Sequence, residues 1–154
     1  MAHILIVDDD ELIAELASEI LIGAGHACGW VTSGEAALNV VKRRLPDLLL
    51  LDNDMPGMSG PQVLRKLRSS SYAYDLPVVM FTAVSGTQDE DAARYNGAQD
   101  YIRKPFEYRT LIQKVDSVLQ ARANRPRHRS LDEVMIRQSG WGRDESRTQL
   151  RRAV

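Results

Sequence analysis

The sequence predicts an α/β domain, a doubly wound five-stranded parallel sheet with helices on both faces. Three observations predict it. Five short strand-like runs recur along residues 1–121, three of them with at least four consecutive apolar residues. Each is followed by a stretch with apolar residues near a 3.6-residue period. Gly, Pro and capping residues punctuate the joins.

The first strand is expected at 3–7, HILIV, closed by Asp8-Asp9-Asp10. Residues 11–24 then read as a helix, with Leu12, Ile13, Leu16, Ala17, Ile20 and Leu21 as its inward stripe and Gly23 and Gly25 as its stop. Asp10 suits the N-cap. A weaker strand is expected at 26–31, HACGWV. Thr32 and Glu35 have capping-box spacing before a helix over 34–43, which turns Ala36, Ala37, Val40 and Val41 inward.

The third strand, 47–51, runs four leucines straight into Asp52 within LLLLDNDMPGMSG. Such a run fits a strand buried on both faces. The Pro56-Gly57 turn follows, and Pro61 opens a helix over 61–69 with Val63, Leu64 and Leu67 inward. Residues 69–75 are loop-like. A fourth strand, 76–81, ends at Thr82. Thr87 and Glu90 cap a helix over 88–95, which Asn96-Gly97 ends. A more polar strand at 98–103 suits a sheet edge and leads to Lys104-Pro105. The last helix of the body, 106–121, carries Leu111, Val115, Val118 and Leu119.

Composition excludes several classes. The chain has 154 residues, and 44% hydrophobic content suffices for one real core. No apolar run approaches the ~18 residues of a membrane span. The acidic start lacks a signal-peptide pattern, and the single cysteine, Cys28, permits no internal disulfide. A reducing, cytoplasmic setting and a buried, inert thiol are expected. The net charge of −1 conceals an asymmetry. Residues 1–121 hold 11 basic and 17 acidic residues, whereas 122–154 hold nine arginines and four acids. That shift sets the expected boundary between a body, 1–122, and an Arg-rich, partly helical or disordered extension, 123–154.

In a parallel sheet all strand ends share one side, and open α/β sheets place chemistry there. Asp8 and Asp9, Asp52, Thr82 and Lys104 all stand at or just past such ends. Three neighbouring carboxylates repel one another and favour a cation; hard oxygen ligands suit Mg²⁺. A carboxylate beside Mg²⁺ and a lysine is a competent acceptor of a phosphoryl group, whose oxygens both cations would neutralise. The Thr82 hydroxyl could bond one of those oxygens.

The residues DD at 8–9, LLLLDNDMPGMSG at 48–60, FTA at 81–83 and DYIRKPF at 100–106 resemble the receiver domain of two-component response regulators. The resemblance implies a flavodoxin-like fold with strand order 2-1-3-4-5 and five helices. It implies Asp52 as phosphoacceptor, Asp9 as a direct Mg²⁺ ligand, Asp8 as one acting largely through water, and Asp54 as donor of a backbone carbonyl to the metal. It further implies that Thr82 and Lys104 bind the phosphoryl group, that Tyr101 is the aromatic switch, and that the Lys104–Pro105 bond is cis. The implied partners are a sensor histidine kinase or histidine phosphotransfer protein and a downstream protein target. The implied contact face comprises helix 88–95, strand 98–103 and helix 106–121, with Tyr95, Arg103 and Tyr108 as candidate contacts. The chain would accept a phosphoryl group and shed it slowly, rather than work as a conventional enzyme. Ser59 stands where the family often has an acid, and Asp54 adds a carboxylate beside the site.

Two other readings compete. Asp52-Asn53-Asp54 also looks like the D-x-D motif of haloacid-dehalogenase-type phosphatases, with Asp52 attacking and Asp54 as general acid/base. Those enzymes, however, place their further metal acids downstream, whereas Asp8 and Asp9 come first. The basic extension could alternatively contact DNA, though scattered arginines give nonspecific phosphate affinity at most, so DNA is not expected as a partner. The 33 residues after 121 are too few for a separate DNA-reading domain. Leu131, Val134, Met135 and Trp141 make a narrow apolar set that could join a homodimer or dock on the body.

Overall fold

The computed structural model describes residues 1–83 and 97–124. The expected helix over 88–95, Tyr95 and the extension's Leu131, Val134, Met135 and Trp141 lie outside the described residues. Five strands and, among the described residues, four helices follow in order. They are β1 (His3–Val7), α1 (Glu11–Gly23), β2 (Ala27–Val31), α2 (Gly34–Arg43), β3 (Leu48–Asp52), α3 (Gly60–Arg68), β4 (Val78–Thr82), β5 (Asp100–Arg103) and α4 (Tyr108–Ala123). All strand pairs are parallel, and the sheet order is β2-β1-β3-β4-β5. This is the flavodoxin-like order expected from the sequence.

Side chains alternate across a strand, so a fully apolar run feeds two cores. Leu49 and Leu51 of β3 join Leu5 and Val7 of β1 in the core beneath α2 and α3. Leu48 and Leu50 join Ile4 and Ile6 in the core beneath α1 and α4. Every residue of β3 and β4 is buried, whereas β2 and β5, at the two sides of the sheet, are partly exposed. Fully burying one such leucine contributes about 1.5–3 kcal/mol, so the four leucines of β3 are among the strongest local determinants of the fold.

The helices differ from expectation in four places. The buried residues of α1 are Ala14, Ala17, Ser18 and Leu21, while Leu12 and Leu16 are 77% and 47% exposed. Its small residues permit close approach to the sheet, Leu21 is buried with them, and Leu12 and Leu16 turn outward. Helix α2 is capped by Ser33, whose hydroxyl accepts from the Ala36 N–H, so the cap falls one residue after Thr32. Helix α3 begins one residue early, because Ser59 and Gln62 form a reciprocal capping box. Helix α4 begins at Tyr108 because Phe106 leaves the helical path to stack on Phe81, ring centroids 5.4 Å apart. Asp10 caps α1 as expected, accepting from the Leu12 and Ile13 N–H groups.

Candidate functional site

The sheet register builds the site. Val7 pairs with Leu51, so Asp8 emerges beside Asp52. Asp52 pairs with Phe81, and Thr82 stands one residue further along β4. Thr82 pairs with Arg103, and Lys104 follows at once. Thus β1, β3, β4 and β5 each deliver one polar group to a single row at the carboxyl end of the sheet. The register of β3 is felt at its end rather than among its leucines, which are buried on both faces: a one-residue slip would turn the Asp52 carboxylate to the opposite face of the sheet.

Asp8 and Asp52 are buried at 0% and 3% exposure, and Thr82 at 4%. The Lys104 ammonium enters from the side, 2.7 Å from Asp8 Oδ2 and 3.1 Å from Asp52 Oδ1. Its stem passes the Phe81 ring, with Nζ 5.6 Å from the centroid. Asp8 Oδ1 accepts from the Asp10 N–H at 2.9 Å, so both oxygens of Asp8 are engaged. Asp9 is exposed and offers its carboxylate from the solvent side. One carboxylate oxygen each from Asp8, Asp9 and Asp52 lie within 4.8 Å of one another. Three hard, anionic oxygens that close together suit a metal ion, so the donor set fits the divalent cation expected from the sequence.

Electrostatics agree with the geometry. Burial pushes the Asp52 carboxyl up to about 7; Lys104 opposes the shift, and Asp8 and Asp9 add to it. Burial also works against the Lys104 ammonium, but Asp8 and Asp52 outweigh it and hold its pKa above the usual lysine range. One lysine facing three carboxylates leaves the row short of positive charge.

The backbone after Asp52 is tightly held. The Asp54 N–H donates to Asp52 Oδ1 at 3.4 Å. The Gly60 N–H donates to the Asn53 carbonyl at 3.1 Å. A Cβ on Gly60 would lie 2.2 Å from the Asp52 carbonyl oxygen, so the start of α3 approaches this turn as only glycine allows. Ser59 therefore contributes as a cap, and Gly60 as a close contact. Ser59-Gly60 just before Pro61 was the sequence signal for both.

The remaining expected residues separate. Asp54 is exposed, and its carboxylate is not among the three clustered ones. The Lys104–Pro105 peptide is cis. Tyr101 is half-buried and packs against the core beneath α2 and α3. By strand alternation Tyr101 shares a sheet face with Thr82, whereas Asp52 shares the opposite face with Leu48 and Leu50. Arg103 and Tyr108 are exposed. Cys28 packs against the core beneath α1 and α4, and burial pushes its thiol up to about 11.

Two arrangements had no clear sequence signal. Arg68, at the end of α3, donates from Nε and Nη2 to the Gly97 carbonyl, from Nη2 to Gln99 and from Nη1 to the Tyr74 carbonyl. Lys114 of α4 meets both Asp100 and the Tyr101 ring.

Comparison with known proteins gives this arrangement a family. Residues 4–116 match the model of the response regulator receiver domain. The chain is 39% identical over 124 residues to the DNA-binding response regulator MtrA of Mycolicibacterium smegmatis, covering 80% of this chain and 53% of that protein. The chain thus spans about half the length of the curated relatives it matches. The crystal structure of the receiver domain of NtrX from Brucella abortus superposes with a TM-score of 0.71 at 31% identity, covering 76% of this chain and 98% of that one. The chemotaxis response regulator CheY4 of Vibrio cholerae gives 0.73 at 28%, covering 77% and 98%. The fold, the row of strand-end residues and these likenesses lead to one conclusion: the chain belongs to the response regulator receiver domain family.

Proposed function

We propose that residues 1–122 are a phosphorylation-controlled switch in which Asp52 accepts a phosphoryl group from a histidine kinase or histidine phosphotransfer protein. The observation that carries this reading is the convergence of Asp8, Asp9 and Asp52 on one point with the Lys104 ammonium 3.1 Å from Asp52. An Asp52 carboxylate oxygen forms the new bond to phosphorus, while the phosphorus–nitrogen bond to the donor histidine breaks and its electron pair stays on the imidazole. Asp9, Asp52 and the Asp54 carbonyl, with Asp8 acting largely through water, would hold Mg²⁺, whose chemistry there would be to neutralise charge on the phosphoryl oxygens. Lys104, already bonded to Asp52, exchanges that carboxylate for a phosphoryl oxygen. The Thr82 hydroxyl donates to a second one. Tyr101, on the Thr82 face of the sheet, then turns inward and remodels the surface around β5 and α4 for a downstream protein.

Such a domain signals by occupancy rather than by turnover, and a cytoplasmic setting suits its donor. None of the described helices is long and apolar enough to cross a membrane. Residues 123–154 are proposed as an Arg-rich extension separate from the switch. The D-x-D phosphatase alternative fits less well, because the Asp54 carboxylate stands outside the acid cluster.

Acetyl phosphate with Mg²⁺ should label the full chain at Asp52, and chelator should prevent it. Equal labelling of D52A would refute the assignment. Sustained turnover of p-nitrophenyl phosphate would favour the phosphatase instead.

A further inference from the structure

Among the polar neighbours of Tyr101, Asp100 and Lys114 are joined to each other. Its own N–H donates to Asp100 Oδ1 at 2.8 Å. The same Oδ1 accepts from Lys114 Nζ at 3.3 Å. Lys114 Nζ also sits 4.7 Å from the centroid of the Tyr101 ring. One ammonium therefore bridges the carboxylate before the tyrosine and the aromatic face itself. The placement follows from α4: Leu111, Val115 and Val118 point into the core, and Lys114 lies on the flank of that stripe beside β5. Asp100 and Lys114 are only 25% and 32% exposed at their side chains, so the contact is partly shielded from water.

The two contacts differ in one respect. Asp100 is fixed by its strand, so its bond to Lys114 does not depend on where the Tyr101 ring points. The cation–π contact does depend on it: a ring that turns inward leaves the ammonium behind. We propose that Lys114 is a latch on Tyr101, holding the ring in the position seen here and so setting the threshold at which phosphorylation switches the domain. The proposal rests on the reading of Tyr101 as the aromatic switch. It makes Lys114 a positioning residue that acts through Tyr101, distant from the phosphoryl chemistry. A contact present in one of two states shifts the equilibrium by its own strength, and the activating ligand feels the same shift in its affinity.

The test is a titration of the full chain with beryllofluoride and Mg²⁺. The Tyr101 ring is followed by fluorine NMR of fluorotyrosine-labelled protein, with Y101F to assign its signal among the five tyrosines. K114M keeps the aliphatic stem and loses the cation; it should reach half-saturation at about 2- to 5-fold lower beryllofluoride, the range expected for a partly exposed cation–π contact. K114R keeps a cation that can both stack and pair, and should titrate within about 2-fold of the wild type. A residue that merely supports the fold would lower the melting temperature of K114M and leave its titration unchanged. Coincident K114M and wild-type titrations overturn the latch while leaving the switch intact. A wild-type Tyr101 signal that does not respond to saturating beryllofluoride overturns the switch reading and the latch together.

Discussion

The two ends of the sheet treat charge in opposite ways. At the carboxyl end three carboxylates crowd one lysine, and the Asp52 carboxyl is pushed up to about 7 by its burial. At the amino end several charged groups are paired instead. His26 Nε2 meets Asp116 Oδ1 at 2.8 Å, Arg122 pairs with Asp75, and Asp47 accepts from the His3 N–H. Arg68 closes the set by tying two backbone segments to the end of α3, through the Tyr74 carbonyl on one and the Gly97 carbonyl and Gln99 side chain on the other. Parallel topology explains the division. Helices run opposite to the strands, so their C-terminal turns, which favour cations, collect at the amino end; Arg68 and Arg122 stand in such turns. Helix starts collect at the other end, where Asp10, Ser33 and Ser59 cap them. One end is arranged to hold the fold, and the other holds charge in reserve for a ligand.

This contrast can be broken deliberately. The largest effect is expected where the active end depends on steric fit rather than charge. G60A places a Cβ 2.2 Å from the Asp52 carbonyl oxygen and 2.9 Å from Asn53 Cα, both backbone atoms that cannot swing away. It should cost about 3 kcal/mol in urea unfolding and abolish acetyl phosphate labelling. Wild-type stability in that variant would show that the turn is not rigid.

Next is the amino end. R68A leaves the Gly97 and Tyr74 carbonyls and Gln99 without their donor. A loss of about 2 kcal/mol is expected, with Asp52 labelling within about 2-fold of the wild type. A variant that unfolds no more easily but labels tenfold more slowly would erase the distinction between the ends.

The third change should reverse the sign. The Asp52 pKa is raised in the fold, to about 7 from an ordinary value of 3.8. The fold is thus penalised as pH rises through 7 and spared below 3.8. D52N removes that ionisation. In chelator at pH 8 it should stabilise the fold by about 1 kcal/mol, and the gain should shrink by pH 5. Destabilisation at pH 8 would mean that Lys104 more than compensates the buried carboxylate.

The smallest effect is expected between the ends, at Cys28 of β2. With its thiol pushed up to about 11 by burial, little thiolate exists at pH 8. Alkylation of native protein by iodoacetamide should be at least about 10-fold slower than in urea. Equal rates would show that β2 opens readily.

Much of this was readable in advance because it depends on runs and spacings. HILIV, LLLLD and LPVVMF identify central strands, and the acids and lysine at their ends follow from parallel topology. What escaped depends on size and distance. The expected face of α1 holds at Ala17 and Leu21 but is rotated elsewhere, because Leu12 and Leu16 outweigh Ala14 and Ser18 in any hydrophobic count, yet the smaller pair is what is buried against the sheet. The cap of α2 moved from Thr32 to Ser33, a one-residue choice between equivalent hydroxyls. The Arg68 clamp joins residues 29 and 31 positions apart, and Asp100 and Lys114 are 14 apart, so no local pattern reports either.

The strand register has a consequence for quality control of the signal. Four strands supply the row, each a single member except β1, which is followed by both Asp8 and Asp9. Assembly therefore behaves as a logical conjunction: every input must be in place before the output exists. A chain with β5 detached has no Lys104 beside Asp52, and a chain with β3 slipped by one residue presents Leu51 where the carboxylate belongs. Damaged or half-folded copies would thus be silent rather than wrongly active, and a cell holding them would lose signal strength before it lost fidelity.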